Sequence, residues 1–140
     1  MAAFMRPFES QVYAAFRIVV GFLFIWYGSQ KLFGFPVPMP RDPGPFITYA
    51  AGGIEFVGGL FVMIGLFTTW AAFICSGQMA FAYWMGHGLN FLKPATEGGG
   101  WTALFPSVSH GDLAILFCFS FLLISARGAG IWSIDGSRSP

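Results

Sequence analysis

Charge is what this sequence has least of. Only 9% of its 140 residues are Asp, Glu, Lys or Arg, against 56% hydrophobic residues, whereas a soluble domain carries about 25% charged residues to cover its exterior. Seven basic and six acidic side chains cannot clothe a water-facing surface of this size, so most of the exterior must meet lipid or protein. Basic runs are missing as well. With a net charge of +1, the chain offers nothing to nucleic acid, whose phosphates require clustered Lys and Arg. Cysteine is scarce too: Cys75 and Cys118 lie in separate apolar runs and form neither a CxxC redox pair nor a zinc spacing. Both read as small packing residues, and no metal site is expected. The first apolar run is too long for a signal-peptide core and has no A-x-A-like cleavage site behind it, so it is expected to stay in the mature chain.

What the sequence has instead is long apolar runs. About 20 apolar residues cross the hydrocarbon layer as a helix, and four stretches approach that length: about 12–33, 46–67, 70–87 and 110–127. The first stops at Gly34-Phe35-Pro36. Five prolines between Pro36 and Pro45 then forbid helix and mark an ordered external loop. Thr68-Thr69 makes a tight connection, whereas residues 88–109 form the longest polar stretch, with Lys93, Glu97 and the triplet Gly98 to Gly100. A short tail, GAGIWSIDGSRSP, closes the chain. Backbone groups in lipid must be satisfied internally, so the expected fold is all-α, one domain over residues 1–140, a four-transmembrane-helix bundle running up-down-up-down. Small residues let helices approach in lipid; Gly28 on the first span and Gly52, Gly53, Gly58, Gly59 and Gly65 on the second are the expected packing positions. Four spans put both termini on one side. Arg6, Arg17, Arg127 and Arg138 on that side outnumber Lys31, Arg41 and Lys93 opposite, which assigns the termini to the cytoplasm.

Ionisable residues inside a span cost about 2.5–3.5 kcal/mol each on insertion scales, so they turn inward and find partners. Arg17, Gly21, Phe24, Gly28 and Lys31 recur at helical spacing and share one stripe. Gly52, Glu55, Gly59 and Val62 do the same on the second span, which sets Glu55 on the close-packing face. Glu55 lies about nine residues into its span, roughly 13 Å from the end near Lys31 at 1.5 Å per residue. His87 closes the third span at that end, and His110 with Asp112 opens the fourth there. Five titratable groups, Lys31, Glu55, His87, His110 and Asp112, are therefore expected to converge on one half of the bundle. Arg17 and Arg127 fall toward the other end as structural charges. A blander reading stands beside this one. Lys31 and Glu55 then merely neutralise each other, Arg17 and Arg127 snorkel to headgroups, and Asp112 caps a helix. The tryptophans and tyrosines sit mostly near span ends, where interfacial belts place them regardless of function; Tyr27, Tyr83 and Trp84 are alternatives as flanks for a planar ligand.

The segments RIVVGFLFIWYGSQKLFGF, AGGIEFVGGLFVMIGLFTTWAAF, AYWMGHGLNF and SHGDLAILFCFSFLLISARGAGIWSIDG resemble the DoxX family, small bacterial four-helix membrane proteins, over nearly the whole chain. The resemblance puts the family's arginine at Arg17, its Gly-x-x-Lys at Gly28 and Lys31, its glutamate at Glu55 and its histidine at His87. The acid opening its last helix, commonly Glu, is Asp112 here. What it implies about activity is quinone-linked oxidation, as a small subunit of a thiosulfate:quinone oxidoreductase or terminal quinol oxidase, or membership of thiol and oxidative-stress complexes.

The chain carries no haem-ligand histidine pair within the spans, no flavin fingerprint and no cysteine pair, so electron transfer would need a bound quinone or a partner holding the cofactor. Two functions are therefore expected to compete. The first is a quinone-binding membrane subunit, in which Lys31 and His87 donate to the headgroup while Glu55, Asp112 and His110 relay protons. The second is a noncatalytic accessory or assembly subunit docked on a larger membrane complex or on copies of itself. No catalytic residue is assigned. A small-solute transporter ranks below both, lacking discontinuous helices or an inverted repeat, and a CxxC-dependent thiol oxidase is rejected. The expected setting is the bacterial inner membrane, with the lipid bilayer as the first partner.

Overall fold

The computed structural model describes residues 3–40, 42–94 and 99–138; Arg41 and Glu97, counted above, lie outside them. Among the described residues every regular element is helical. The first long helix, α1 (Glu9–Phe33), follows a 3-10 stretch at Ala3–Phe8 and stops at Gly34, whose left-handed φ of 62° ends the helix on a bond from its N–H to Gln30 O. The second, α2 (Pro45–Ile64), opens with a proline in its first turn and closes on Gly65, again left-handed at φ 72°. Then come α3 (Thr68–Gly86) and α4 (Asp112–Arg127).

These bounds shift the sequence expectations in two places. The fourth helix begins at Asp112, because His110 adopts the left-handed conformation (φ 58°) that ends a helical turn at Pro106–Ser109. The polar stretch also folds into further 3-10 turns at Gly88–Leu92 and Trp101–Leu104. Two helical segments, Ala3–Phe33 and Pro45–Ile64, are long and apolar enough to cross a membrane. The other two fall short of that standard: α4 has 16 residues, and α3 is diluted by Thr68, Thr69, Ser76, Gln78 and two glycines.

Glycine sets the distance between α1 and α2. A Cβ on Gly21 would meet Met63 N at 2.6 Å and Gly59 O at 2.7 Å, and one on Gly28 would meet Gly52 O at 2.8 Å. The two backbones therefore touch with no side chain between them. Gly52 packs on the Lys31 stem, Gly59 on the Gly21 carbonyl, and Gly58 faces the Cys75 sulfur on α3. Gly53 is different: a Cβ there meets nothing within 4 Å, so it is not the packing position the sequence reading made it. Phe24, Val62, Ala72, Cys75, Phe117, Phe121 and Ile124 form the core between the helices.

One end of the molecule is closed by the tail. Arg17 is fully buried and does not snorkel. Its Nη1 donates to the carbonyls of Val62 (2.6 Å) and Met63 (2.7 Å) in the last turn of α2, and its Nη2 to Trp132 O (2.7 Å). A cation on the unpaired carbonyls of a helix C-terminus is favoured by the helix dipole. The tail turns back through a short helix, Ile134–Arg138. There Asp135 accepts hydrogen bonds from the Phe67 and Thr68 N–H groups and the Thr68 hydroxyl at 2.9–3.0 Å. It is thus the N-cap of α3, supplied from the far end of the chain. Nearby, Arg127 Nη2 pairs with Glu9 Oε1 at 2.8 Å and its guanidinium lies 4.6 Å from the centre of the Tyr13 ring.

Two outcomes follow for this end. Arg17→Leu orphans buried carbonyls at roughly 1–3 kcal/mol each, so its melting temperature in detergent is expected to fall sharply, with Arg17→Lys recovering only part because one ammonium cannot span both carbonyl sets. Slight burial pushes the Asp135 carboxyl up, but the bonds from Thr68 and Phe67 and the Arg138 charge outweigh it and hold the carboxyl below its ordinary value. A depressed carboxyl stabilises the fold fully above its unfolded pKa of about 3.9, and the gain is lost as pH falls through the lower folded value. Asp135→Ala should therefore cost about 1 kcal/mol at neutral pH, with the gap to the parent closing below about pH 3.9 in melts taken across pH.

Candidate functional site

At the other end the helices bring polar groups together without a tail to cover them. Lys31 lies in the last turn of α1. Glu55 stands in α2 where the α-helical pattern gives way to a π turn, Ile54–Gly58, before resuming at Gly59. Such single-turn insertions rotate the helix face that follows and recur at functional sites. Gly52 and Gly59 pack on α1 and Gly58 on α3, so the wider turn lies close to both helices.

The two charges meet. Lys31 Nζ is 2.7 Å from Glu55 Oε1 and 2.5 Å from Oε2, and Glu55 is only 1% exposed. A third group completes the arrangement: Gln78 Nε2 on α3 donates to Glu55 Oε1 at 3.1 Å. The carboxylate settles the Gln78 orientation, because turning the amide over would set oxygen against oxygen. Charge-assisted bonds of this kind are about twice as strong as neutral ones, and a buried carboxylate without them would carry several kcal/mol of desolvation cost.

His87 follows directly on α3. Its Nδ1 lies 2.6 Å from Ser109 O; a carbonyl only accepts, so Nδ1 carries the proton. In the neutral ring Nε2 is then an acceptor, the reverse of the donor role expected from sequence. Tyr83 stacks on the same ring, the two planes inclined by 27°.

Lys31, Glu55, Gln78, His87 and His110 line one cavity of about 230 Å³, together with Tyr27, Phe24 and Phe117. Four of the five residues singled out in the sequence thus share this chamber. Asp112 does not line it: it is exposed in the first turn of α4, where a carboxylate favours the helix dipole. Tyr83 and Trp84 are not among its walls either, and of the three aromatic candidates Tyr27 alone borders it. Gln78 escaped the sequence reading, although it is a polar residue in the middle of the third apolar run. A larger cavity, about 470 Å³, lies at the closed end beside Arg6, Glu9, Tyr13 and Arg127; the Arg127–Glu9 pair there is half-exposed and mutually neutralised. Cys75 is buried against α2, and Cys118 sits beside Ser76. Among the described residues no three His, Cys, Asp or Glu side chains approach closely enough to hold a metal.

Comparison with known proteins agrees with the segments quoted above. The DoxX family model matches residues 12–88, a stretch that holds Arg17, Lys31, Glu55, Gln78 and His87. An uncharacterised protein of Haemophilus influenzae is 38% identical over 134 residues, 94% of this chain and 93% of its own length. No solved structure matches. With its apolar helices, its buried cation and acid and this match, the chain belongs to the DoxX family of membrane proteins.

Proposed function

We propose that this chain is a four-pass subunit of a quinone-linked redox system of the bacterial inner membrane, and that the chamber around Lys31 and Glu55 binds the headgroup of a quinone and exchanges protons with it. The observation that carries this reading is the mixture of complementary groups on one small cavity. Lys31 supplies donors and His87 Nε2 an acceptor; Glu55 and His110 are further groups that can exchange protons, and Tyr27, Phe24 and Phe117 are flat apolar walls. A quinone needs donors at its carbonyls and its reduced form needs acceptors for its hydroxyls, so this set serves both forms. The volume, about 230 Å³, lies below the roughly 300–1,000 Å³ of sites that enclose a whole ligand. It suits one ring.

The topology of this reading is up-down-up-down. It is supported by the contacts that gather the start of α1, the end of α2, the start of α3 and the end of α4 at the tail-closed end. Arg6, Arg17, Arg127 and Arg138 at that end, against Lys31, Arg41 and Lys93 opposite, favour the cytoplasm, and on that reading the chamber lies in the outer half of the bilayer. Electrons pass to or from a partner in the membrane, and the chain's own share is to bind the ring, orient it and move its protons.

Purified gently, the protein is expected to retain quinone detectable by mass spectrometry and to gain thermal stability when quinone is added. Glu55→Gln keeps the shape but removes the charge that holds Lys31, and Lys31→Met removes the donor; each should weaken quinone binding by at least about tenfold, one lost charge-assisted bond being worth roughly 1.5–3 kcal/mol. Absence of both retention and thermal shift would overturn the reading. Loss of a copurifying redox partner with the Glu55 variant, without any quinone effect, would instead mark an assembly role.

A further inference from the structure

A second cavity adjoins the chamber. It is about 750 Å³, runs between α2 and α3, and is walled by apolar side chains that include Phe46, Ile54, Phe73, Ile74, Phe81 and Met85. Its inner end is polar: Lys31 and Gln78 border both this groove and the chamber, as do Ile47, Ala51 and Ala82. The groove is thus continuous with the site already described, and Lys31 stands at their junction. Most of its outer wall, Phe46, Phe73, Ile74, Phe81 and Met85, is exposed at the flank of the helices, the side that faces lipid.

On the reading of the chamber as a quinone-head site, we infer that this groove is the lateral entry and holds the ligand's hydrocarbon chain, so that the ligand reaches Lys31 from within the bilayer, between α2 and α3. The inner end of the groove selects this occupant over a phospholipid. Lys31 is in the last turn of α1, near the edge of the hydrocarbon layer. Gln78, however, lies about 15 Å from the first residue of α3 and about 12 Å from the last, at 1.5 Å per residue. The polar end therefore reaches inward to near the middle of the layer. A phospholipid headgroup is charged and stays at the interface. A quinone ring is neutral and enters hydrocarbon, carrying a long apolar chain behind it. The volume falls within the range of sites that enclose a ligand, whereas the chamber alone holds no more than the head.

Gly77 and Gly86 keep the groove open. Both line it, and a Cβ at either meets nothing within 4 Å. A side chain at 77 therefore starts in open space on the groove's lining, which makes this position the probe of the groove. Gly53 is equally unobstructed but borders none of the three cavities discussed, which makes it the control.

The test compares a benzoquinone bearing only methyl and methoxy groups with the same ring carrying a ten-carbon chain. Binding to the full chain in lipid nanodiscs is measured for the parent, Gly77→Phe and Gly53→Phe. Partition into lipid is common to all three proteins, so the change in chain preference between them isolates the groove. The parent and Gly53→Phe should prefer the long-chain ring by tenfold or more, and Gly77→Phe should lose that preference while binding the short ring as the parent does. If both rings bind and Gly77→Phe changes neither, the chain lies elsewhere and the groove assignment is overturned, although the chamber survives. If neither ring binds the parent, the chamber reading fails first. If Gly77→Phe breaks up a dimer and leaves the chain preference intact, the groove is an interface between copies, and the entry proposal is wrong.

Discussion

A carboxylate buried to 1% exposure among apolar helices is the constraint around which this molecule is arranged. Glu55 is tolerable only because donors from two other helices reach it, Lys31 from α1 and Gln78 from α3. For that to happen α1 and α2 must lie almost backbone to backbone, which Gly21, Gly28 and Gly59 allow. The π turn then sets the carboxylate where both donors converge. Glycine pattern, helix irregularity and ion pair are thus three parts of one solution. Replacing such a pair by hydrocarbon is often neutral or stabilising, so stability alone gives little reason to keep it. Its neighbours His87 and His110 on an open cavity give a better one.

The two ends of the molecule answer the same problem in opposite ways. At the tail end the Arg17 guanidinium meets helix-end carbonyls and Asp135 meets the first amides of α3, while Arg127 and Glu9 pair at the surface. That end is fastened. At the other end the polar groups border empty space, and the adjoining groove leads out between α2 and α3.

The sequence carried much of this. Sparse charge and long apolar runs announced an all-helical membrane protein. Helical spacing put Glu55 on the glycine face, and the DoxX resemblance marked the same positions. Three features were not legible, each for a physical reason. The π turn leaves no periodicity of its own, since one added residue within a glycine-rich helix still reads as helix. Gln78 carries no charge, and a neutral amide becomes informative only once a carboxylate faces it. The tail shows no local sign of its role: Asp135 caps a helix whose first residue, Thr68, lies 67 positions away, and no local pattern predicts a cap from that distance. Asp112 failed in the opposite sense. Its place at the start of α4 was right, but the left-handed turn at His110 puts the histidine at the cavity and leaves the carboxylate outside.

The most direct measurement is infrared difference spectroscopy on the protein in lipid, recorded as quinone is added, with Glu55→Gln as reference. A carboxylate that shares donors with a bound ring must change its stretching bands when the ring arrives, and those bands must vanish in the variant. Bands of that kind, assigned to Glu55, are what the proposed quinone site predicts. A quinone that binds while the Glu55 carboxylate signal stays unmoved would contradict it.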